Sequence, residues 1–385
     1  MLDYGLNEQQ KMVKDLARQI AEEKIKPFSK QWDEEEQFPE SAISALAKAD
    51  MNALCIPEKF GGMGGGIFDL CLAVEEVARV DGGVATSYAA TFLGMFPILL
   101  NGTEEQTQKS LPQVASGKSL CAFALTEPEA GSDASNVKTT ATKDGDYYIL
   151  NGVKHFITNG GVADINVVIA VTDKTKGARG ISAFIVEKGT EGFSFGKKEE
   201  KLGIRCSPTR ELIFQDCRVH KSQLLGGQEG LGFIATMKTF DYSRPGVAAQ
   251  AVGIAQGAME LAISYANKRV QFNQKITSFQ GIQWMIADMG AKIEAARALV
   301  YATAKAADAG QKNIGGASAA AKFYASDVAM EVSVNALQLF GGYGYIKEYP
   351  IEKFVRDAKI TQIYEGTNQI QRNIVALQLI KEFGK

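Results

Sequence analysis

The stretch IYEGTNQIQR, residues 363–372, places one carboxylate, Glu365, between a tyrosine and a glycine, just ahead of a fresh helix. Thr367 suits the helix N-cap, and Ile370, Ile374 and Leu377 then recur at helical spacing. Glu365 therefore sits two residues outside the cap, on a connecting turn, where most acids are merely solvated. Whether this acid does more depends on the chemistry the rest of the chain offers. The chain holds two histidines, His155 and His220, and five scattered cysteines (Cys55, Cys71, Cys121, Cys206, Cys217), none in a CxxC pair. A zinc site is not expected from such a set. A Ser–His or Cys–His nucleophile would have to use one of the two histidines, so general-base work falls to a carboxylate.

A chain of 385 residues implies two or three domains. With 45% hydrophobic and 22% charged residues it has an ordinary globular composition, and a net charge of −2 implies no broad nucleic-acid surface. No apolar run approaches the roughly 18 residues of a membrane span; VVIAV at 167–171 has strand length. The N-terminal MLDYGLNEQQKMVKDLARQI is charged and amphipathic without a signal core, so a cytoplasmic location is expected.

The elements that must carry Glu365 fall into three sections. Residues 1–120 alternate helical patterns with short breaks: an amphipathic helix from Leu6 to Ile25 ended before Pro27, a helix capped by Ser41, and another from Asp69 to Val80. Residues 121–229 are strand-dense; Asn151-Gly152 inside YYILNGVKHFIT reads as a hairpin turn, and the lack of intervening helices favours antiparallel pairing. Residues 230–385 hold long alanine-rich helices, such as FQGIQWMIADMGAKIEAARALVYATAKAAD, expected to pack as a four-helix-like bundle. The fold class is thus α+β, in the order helical, β, helical.

The glycine clusters do not make a dinucleotide fold. GGMGGG at 61–66 lacks the spacing, and GLGFIA at 230–235 opens a helix without a surrounding βαβ unit. GGYGYIKEYP at 341–350 is a helix stop and turn. ALTEPEAGSD at 124–133 and KHFITNGG at 154–161 offer hydroxyls, backbone donors and an aromatic suited to a flat ring and a pyrophosphate.

Taken together, ALTEPEAGSD, KHFITNGG, KLGIRCSPTRELIFQDCRV, RVQF followed by Gln280, QLFGGYGY and IYEGTNQIQR resemble the acyl-CoA dehydrogenase family, in order along nearly the whole chain. The resemblance implies an FAD held between the β domain and the C-terminal bundle. Leu125, Thr126 and Ser132 match positions at the flavin ring and pyrophosphate, and Phe156, Ile157 and Thr158 the strand segment against the isoalloxazine. Arg269, Phe272, Gln280, Gln338 and Gly342 match positions that bind the FAD of a neighbouring subunit, completed by Thr367 and Gln369. A homotetramer is therefore implied. Asp241 and Arg244 match coenzyme A contacts, and Tyr364 and Gly366 flank the thioester. Residue 243, where some relatives carry the base, is serine. One departure stands out: after RVQF the family commonly reads Gly-x-Pro, where this chain has Asn273, Gln274 and Lys275.

In this frame Glu365 takes the weakly acidic α-proton of a thioester, flavin N5 takes the β-hydride, and the Glu365 N–H helps hold the carbonyl oxygen. Burial would raise the pKa of this carboxyl and the following helix N-terminus would lower it; the sequence leaves both outcomes open. The implied activity is acyl-CoA dehydrogenation with electrons passed to an electron-transferring flavoprotein, closest to the butyryl-CoA or short-chain type. Alternatives are enoyl-CoA reduction in the reverse direction, a variant for cyclic or branched acyl groups, and a flavin-free scaffold of the same fold. SYAATFLGMFPILL, the expected pocket floor, has no lysine or arginine, which disfavours a dicarboxylic acyl group unless Arg79 or Arg244 points inward.

Overall fold

The computed structural model describes residues 2–384. Helix α1 (Glu8–Ile20) starts with a reciprocal cap between Asn7 and Gln10 and buries Val13, Ala17 and Ile20, one face at i, i+4 and i+7. A wider turn over Ala21–Ile25 continues it to the break before Pro27. Helices α2 (Ser29–Glu34) and α3 (Glu40–Lys48) follow. Ser41 is not the cap of α3: the helix begins directly behind Pro39, whose fixed φ already suits a helix start, and this leaves Ser41 inside the first turn.

Helix α4 (Ile67–Ala78) has its first amide groups satisfied from far along the chain, with Asp308 accepting from the N–H of Ile67 at 2.6 Å and of Phe68 at 2.9 Å. Helix α5 (Gly82–Asn101) is capped by Asp81, which accepts from Gly83 and Val84 at 2.8 and 3.0 Å. Helix α6 (Glu104–Ala115) closes the section.

The middle section is one curled sheet of β1 (Cys121–Ala124), β2 (Thr140–Asp144), β3 (Tyr147–Thr158), β4 (Ile165–Val171), β5 (Ile181–Glu187), β6 (Phe193–Lys198) and β7 (Thr209–His220). Its order is β1-β4-β2-β3-β7-β6, with β5 on β4. Most pairings are antiparallel, but β1 and β4 run parallel over Cys121↔Ile165 to Ala124↔Val168. The sheet is therefore mixed: the β2–β3 hairpin between β1 and β4 returns the chain to its starting direction. Asn151-Gly152 does not turn the chain. β3 passes straight through it with a bulge against β7, Asn151 pairing with Asp216 and Gly152 taking φ 147° against Thr139. The reversal falls instead at Gly145-Asp146.

The C-terminal section packs α7 (Gly232–Ala266), α8 (Gln280–Asp308), α9 (Gly315–Phe340), α10 (Ile351–Thr361) and α11 (Asn368–Phe383). Helix α7 continues through Pro245. Proline has no N–H for the carbonyl four residues back, and Ser318 Oγ of α9 donates to that Asp241 carbonyl at 2.7 Å instead. Between α7 and α8, β8 (Val270–Gln271) and β9 (Gln274–Lys275) form a two-residue hairpin. Phe272 and Asn273 occupy it at φ 51° and 62°, so the Asn273-Gln274-Lys275 departure builds a tight turn of its own. Helices α5 and α7 are long and apolar enough to cross a membrane, but their apolar windows are 78% and 83% buried, the signature of core helices.

Candidate active site

A cavity of about 400 Å³ opens between the sheet, α5, α7 and the turn before α11. One face of α5 lines it with Thr86, Ala89, Ala90 and Leu93, at helical spacing. Phe92 and Phe96, expected at the pocket, turn the other way into the core. From α7 come Met237, Phe240, Arg244, Val247 and Gln250. The inner end is a locked polar network. Gln250 donates to the Gly82 carbonyl at 2.9 Å and to Thr86 Oγ1 at 2.7 Å, and accepts from the Tyr364 hydroxyl.

The sheet side presents Leu125, Thr126 and Ser132 from the β1 exit loop, and Phe156, Ile157 and Thr158 from the end of β3. Phe156 sits in the left-handed region at φ 58°, beside the second bulge of β3, with its ring 59% exposed to the cavity mouth. The β1 exit loop is anchored from behind by Lys154, fully buried, which donates to the Leu125 carbonyl at 3.1 Å and pairs with Glu127 at 2.7 Å. Burial pulls the Lys154 ammonium down to about 8, against the attraction of Glu127.

Tyr364, Glu365 and Gly366 form the opposite wall. Two consecutive residues have positive φ, Glu365 at 50° and Gly366 at 93°. A side chain at 366 would meet Gln371 Nε2 at 2.5 Å, so glycine is required twice over. Glu365 itself is strained, at a cost of order 1 kcal/mol or more. The turn is held in place by Gln371, which donates to the Glu365 and Gly366 carbonyls at 3.0 and 2.9 Å. Thr367 caps α11 through the Ile370 N–H, as its position predicts. Among the described residues no acceptor is paired with the Glu365 N–H.

The carboxylate is the best-supported group in the cavity. Ser243 Oγ donates to Glu365 Oε2 at 2.5 Å. Arg244, 4% exposed, points its Nε toward the Glu365 carbonyl at 3.5 Å and pairs with Asp241 at 3.6 Å. Burial raises the Glu365 carboxyl above the ordinary glutamate value, opposed by Ser243, Arg244 and Lys322.

Two residues escaped the sequence reading. In the sequence Ser243 reads only as a position without a base, whereas in the structure it is the hydrogen-bond donor to Glu365. Lys322 of α9 is fully buried and donates to the Gly366 carbonyl at 2.8 Å. Its signal was present: a lysine on the same helix face as the buried Ala319, Ala325 and Ala329.

The remaining predicted residues lie elsewhere. Arg269, Gln338 and Gly342 line a separate, shallower cleft between the end of α7 and the end of α9. There Arg269 faces the Tyr343 ring at 5.6 Å and has no carboxylate partner among the described residues. Phe272 and Gln280 are exposed nearby, Gln369 is exposed beside the Glu365 turn, and Asp241 stands behind Arg244. Arg79 points away from the cavity, to Glu260 and Glu76. On the sheet, His155 lies 3.1 Å from Glu211 and 3.9 Å from Glu199, a polar cluster outside the cavity.

Sequence models of the acyl-CoA dehydrogenase N-terminal, middle and C-terminal domains match residues 7–118, 122–217 and 230–380. The solved butyryl-CoA dehydrogenase of Megasphaera elsdenii superposes with a TM-score of 0.96 at 47% identity, over 98% of this chain and 100% of that one. A chain of the solved structure described as the electron transferring flavoprotein of Acidaminococcus fermentans matches with a TM-score of 0.97 at 50% identity, over 99% and 100% of the two chains. An acryloyl-CoA reductase (NADH) of Anaerotignum propionicum is 47% identical over 382 residues, 99% of this chain and 96% of its own length.

Proposed function

Because the chain belongs to the acyl-CoA dehydrogenase family, we propose that it dehydrogenates a short, uncharged acyl-CoA at Cα and Cβ, with Glu365 as the α-proton base. It is an FAD-dependent oxidoreductase, and FAD supplies the hydride acceptor. Two features of the fold suit that group. Phe156, Ile157 and Thr158 offer a half-exposed aromatic and apolar wall at the cavity mouth, beside the hydroxyls of Thr126 and Ser132. Arg269, without a carboxylate partner among the described residues, would with Gln338 and Gly342 meet the pyrophosphate end of a neighbour's FAD, as the family resemblance implies.

The observation that carries the proposal is Glu365 itself. It is a carboxylate on a strained turn, aimed into a mainly apolar cavity and poised by Ser243. The Glu365 N–H, without an acceptor among the described residues, offers a donor for the thioester oxygen beside it. Asp241 and Arg244 would meet the coenzyme end, as the resemblance implies; of the two, Arg244 lines the cavity. Anaerobic bleaching of the bound flavin by a panel of acyl-CoAs tests the reading, and no bleaching by any member would sink it.

We assign the acyl end to Gln250, Thr86 and Tyr364, whose mutual bonds close that part of the cavity. Arg244 also lines the cavity, but its guanidinium is directed at the Glu365 carbonyl and Asp241. Butyryl-CoA is expected to be preferred over glutaryl-CoA, whose terminal carboxylate would have to draw Arg244 from its present partners or stay buried unpaired. Gln250→Ala opens the floor, so kcat/KM for hexanoyl- or octanoyl-CoA should rise relative to butyryl-CoA by about tenfold, a methylene being worth roughly 1–3 kcal/mol. An unchanged chain-length ratio would place the specificity elsewhere.

We take the electron acceptor to be an electron-transferring flavoprotein, on the likeness to the Acidaminococcus chain, and the assembly to be a homotetramer with cofactor sites shared between neighbours. The outer face of α11 supports assembly, with Leu377 and Ile380 about two-thirds exposed. Arg269→Ala should then weaken FAD retention and assembly together, by about tenfold to a hundredfold for one charge-assisted bond. A variant that elutes as the wild-type oligomer with full flavin would remove the shared site. Domain divisions near residues 120 and 230 belong to the same proposal, as does the cytoplasm as its compartment. The acryloyl-CoA reductase relative supports a second reading, reduction of a short enoyl-CoA at the same site.

A further inference from the structure

We propose that Lys322 is a positioning residue for the base: a buried cation that clamps the Glu365–Gly366 turn and holds Glu365 in its proton-accepting form. The inference rests on the reading of Glu365 as the base. Lys322 does not line the cavity, so it acts on the reaction only through this turn.

A fully buried ammonium costs several kcal/mol unless a charge partner repays it. Lys322 has no carboxylate within ion-pair distance among the described residues. Its bonds go to two neutral oxygens, the Gly366 carbonyl at 2.8 Å and Asn368 Oδ1 at 3.0 Å. Asn368, itself buried, is fixed in turn by bonds to Ser326 and Asp327 at 2.8 Å each. Around it α9 is otherwise small and apolar, Ala319, Ala321 and Ala325 all being fully buried. A methionine would fill the same space without the desolvation cost, so packing alone does not account for a lysine.

The charged groups that face Lys322 are few. Glu365 attracts it from the turn, Arg244 of α7 repels it, and Asp327 on its own helix attracts it through Asn368. Burial draws the ammonium down to about 7, with Glu365 opposing that fall. Attraction is mutual, so Lys322 when charged lowers the Glu365 carboxyl that burial has raised. The same ammonium tethers the carbonyl next to a residue held at an unfavourable φ. One side chain thereby fixes both the place and the protonation of the carboxylate.

The test is the pH dependence of flavin reduction by butyryl-CoA in the FAD-loaded protein, for wild type, Lys322→Arg, Lys322→Gln and Lys322→Met. The acidic limb marks Glu365 protonation. In the Gln and Met variants it should move up by about one pH unit, so rates below both limbs fall about tenfold, while Arg restores the wild-type position. Gln keeps a donor for the Gly366 carbonyl without the charge, so it isolates the electrostatic part and carries the test if Met does not fold. An acidic limb unmoved in Gln, or moved as far by Arg as by Gln, overturns the proposal. Glu365→Gln measured alongside separates the two claims. If that variant is active, the base reading has failed; if it is inactive and the Lys322 limbs have not moved, only this inference has.

Discussion

Glu365→Gln should leave the protein folded with FAD and acyl-CoA bound, yet slow flavin reduction by at least about 10²–10⁴. The amide matches the carboxylate in size and still accepts from Ser243, so the turn and its Gln371 and Lys322 bonds persist. What disappears is the lone pair that takes the α-proton. The wild-type rate should itself fall as pH drops through a pKa above the ordinary glutamate value of about 4.3, since burial holds this carboxyl up. The Gln variant has no such limb to lose. Rapid anaerobic mixing with butyryl-CoA measures both, and reduction within tenfold of wild type would assign the base elsewhere.

Arg297→Ala should cost about 3–5 kcal/mol of stability, the usual consequence of leaving one half of a buried ion pair behind. Arg297 is 6% exposed and joins three helices. Its Nε donates to Glu75 of α4 at 2.8 Å, one amino group to Gln256 of α7 at 2.9 Å, and the other to Glu294 of α8 at 2.8 Å. Tyr301 donates to the second Glu75 oxygen at 2.9 Å. Truncation strands the Glu75 charge in the interior, and the neighbouring carboxylates, which hold Arg297 firmly protonated, lose their counter-ion. Adding Glu75→Gln should recover part of the loss, because the stranded charge is then gone. A thermal midpoint of the Ala variant within a degree or two of wild type would show the pair to be dispensable.

Local signals were legible in the sequence and distant ones were not. Thr367 as a cap and the helical spacing after it depend on neighbours within one turn, and the structure keeps them. Asn151-Gly152 has the local chemistry of a hairpin, but its conformation is decided by Thr139 and Asp216, partners that sequence order does not bring near. The parallel β1–β4 pairing is lost to the eye for the same reason, since its strands are separated by a whole hairpin. At the site, residue types announced the carboxylate and the aromatic wall, and the family motifs supplied their order. The partners of Glu365 stayed hidden because Ser243 and Lys322 lie on helices distant in sequence, inside stretches whose composition says only that they pack.

The cap on α4 has a consequence for how the chain is made. Asp308 serves amide groups 241 positions upstream of it. At synthesis rates of about 5–20 residues per second, α4 would wait roughly 12–48 s after emerging before its acceptor exists. Asp33 similarly awaits Arg356, 323 positions later. The first helical section therefore leaves the ribosome with unfinished helix ends and unpaired acids, and completes its structure only when the bundle arrives. Nascent chains halted before residue 308 should be open to protease near Ile67, and released full-length chains closed there.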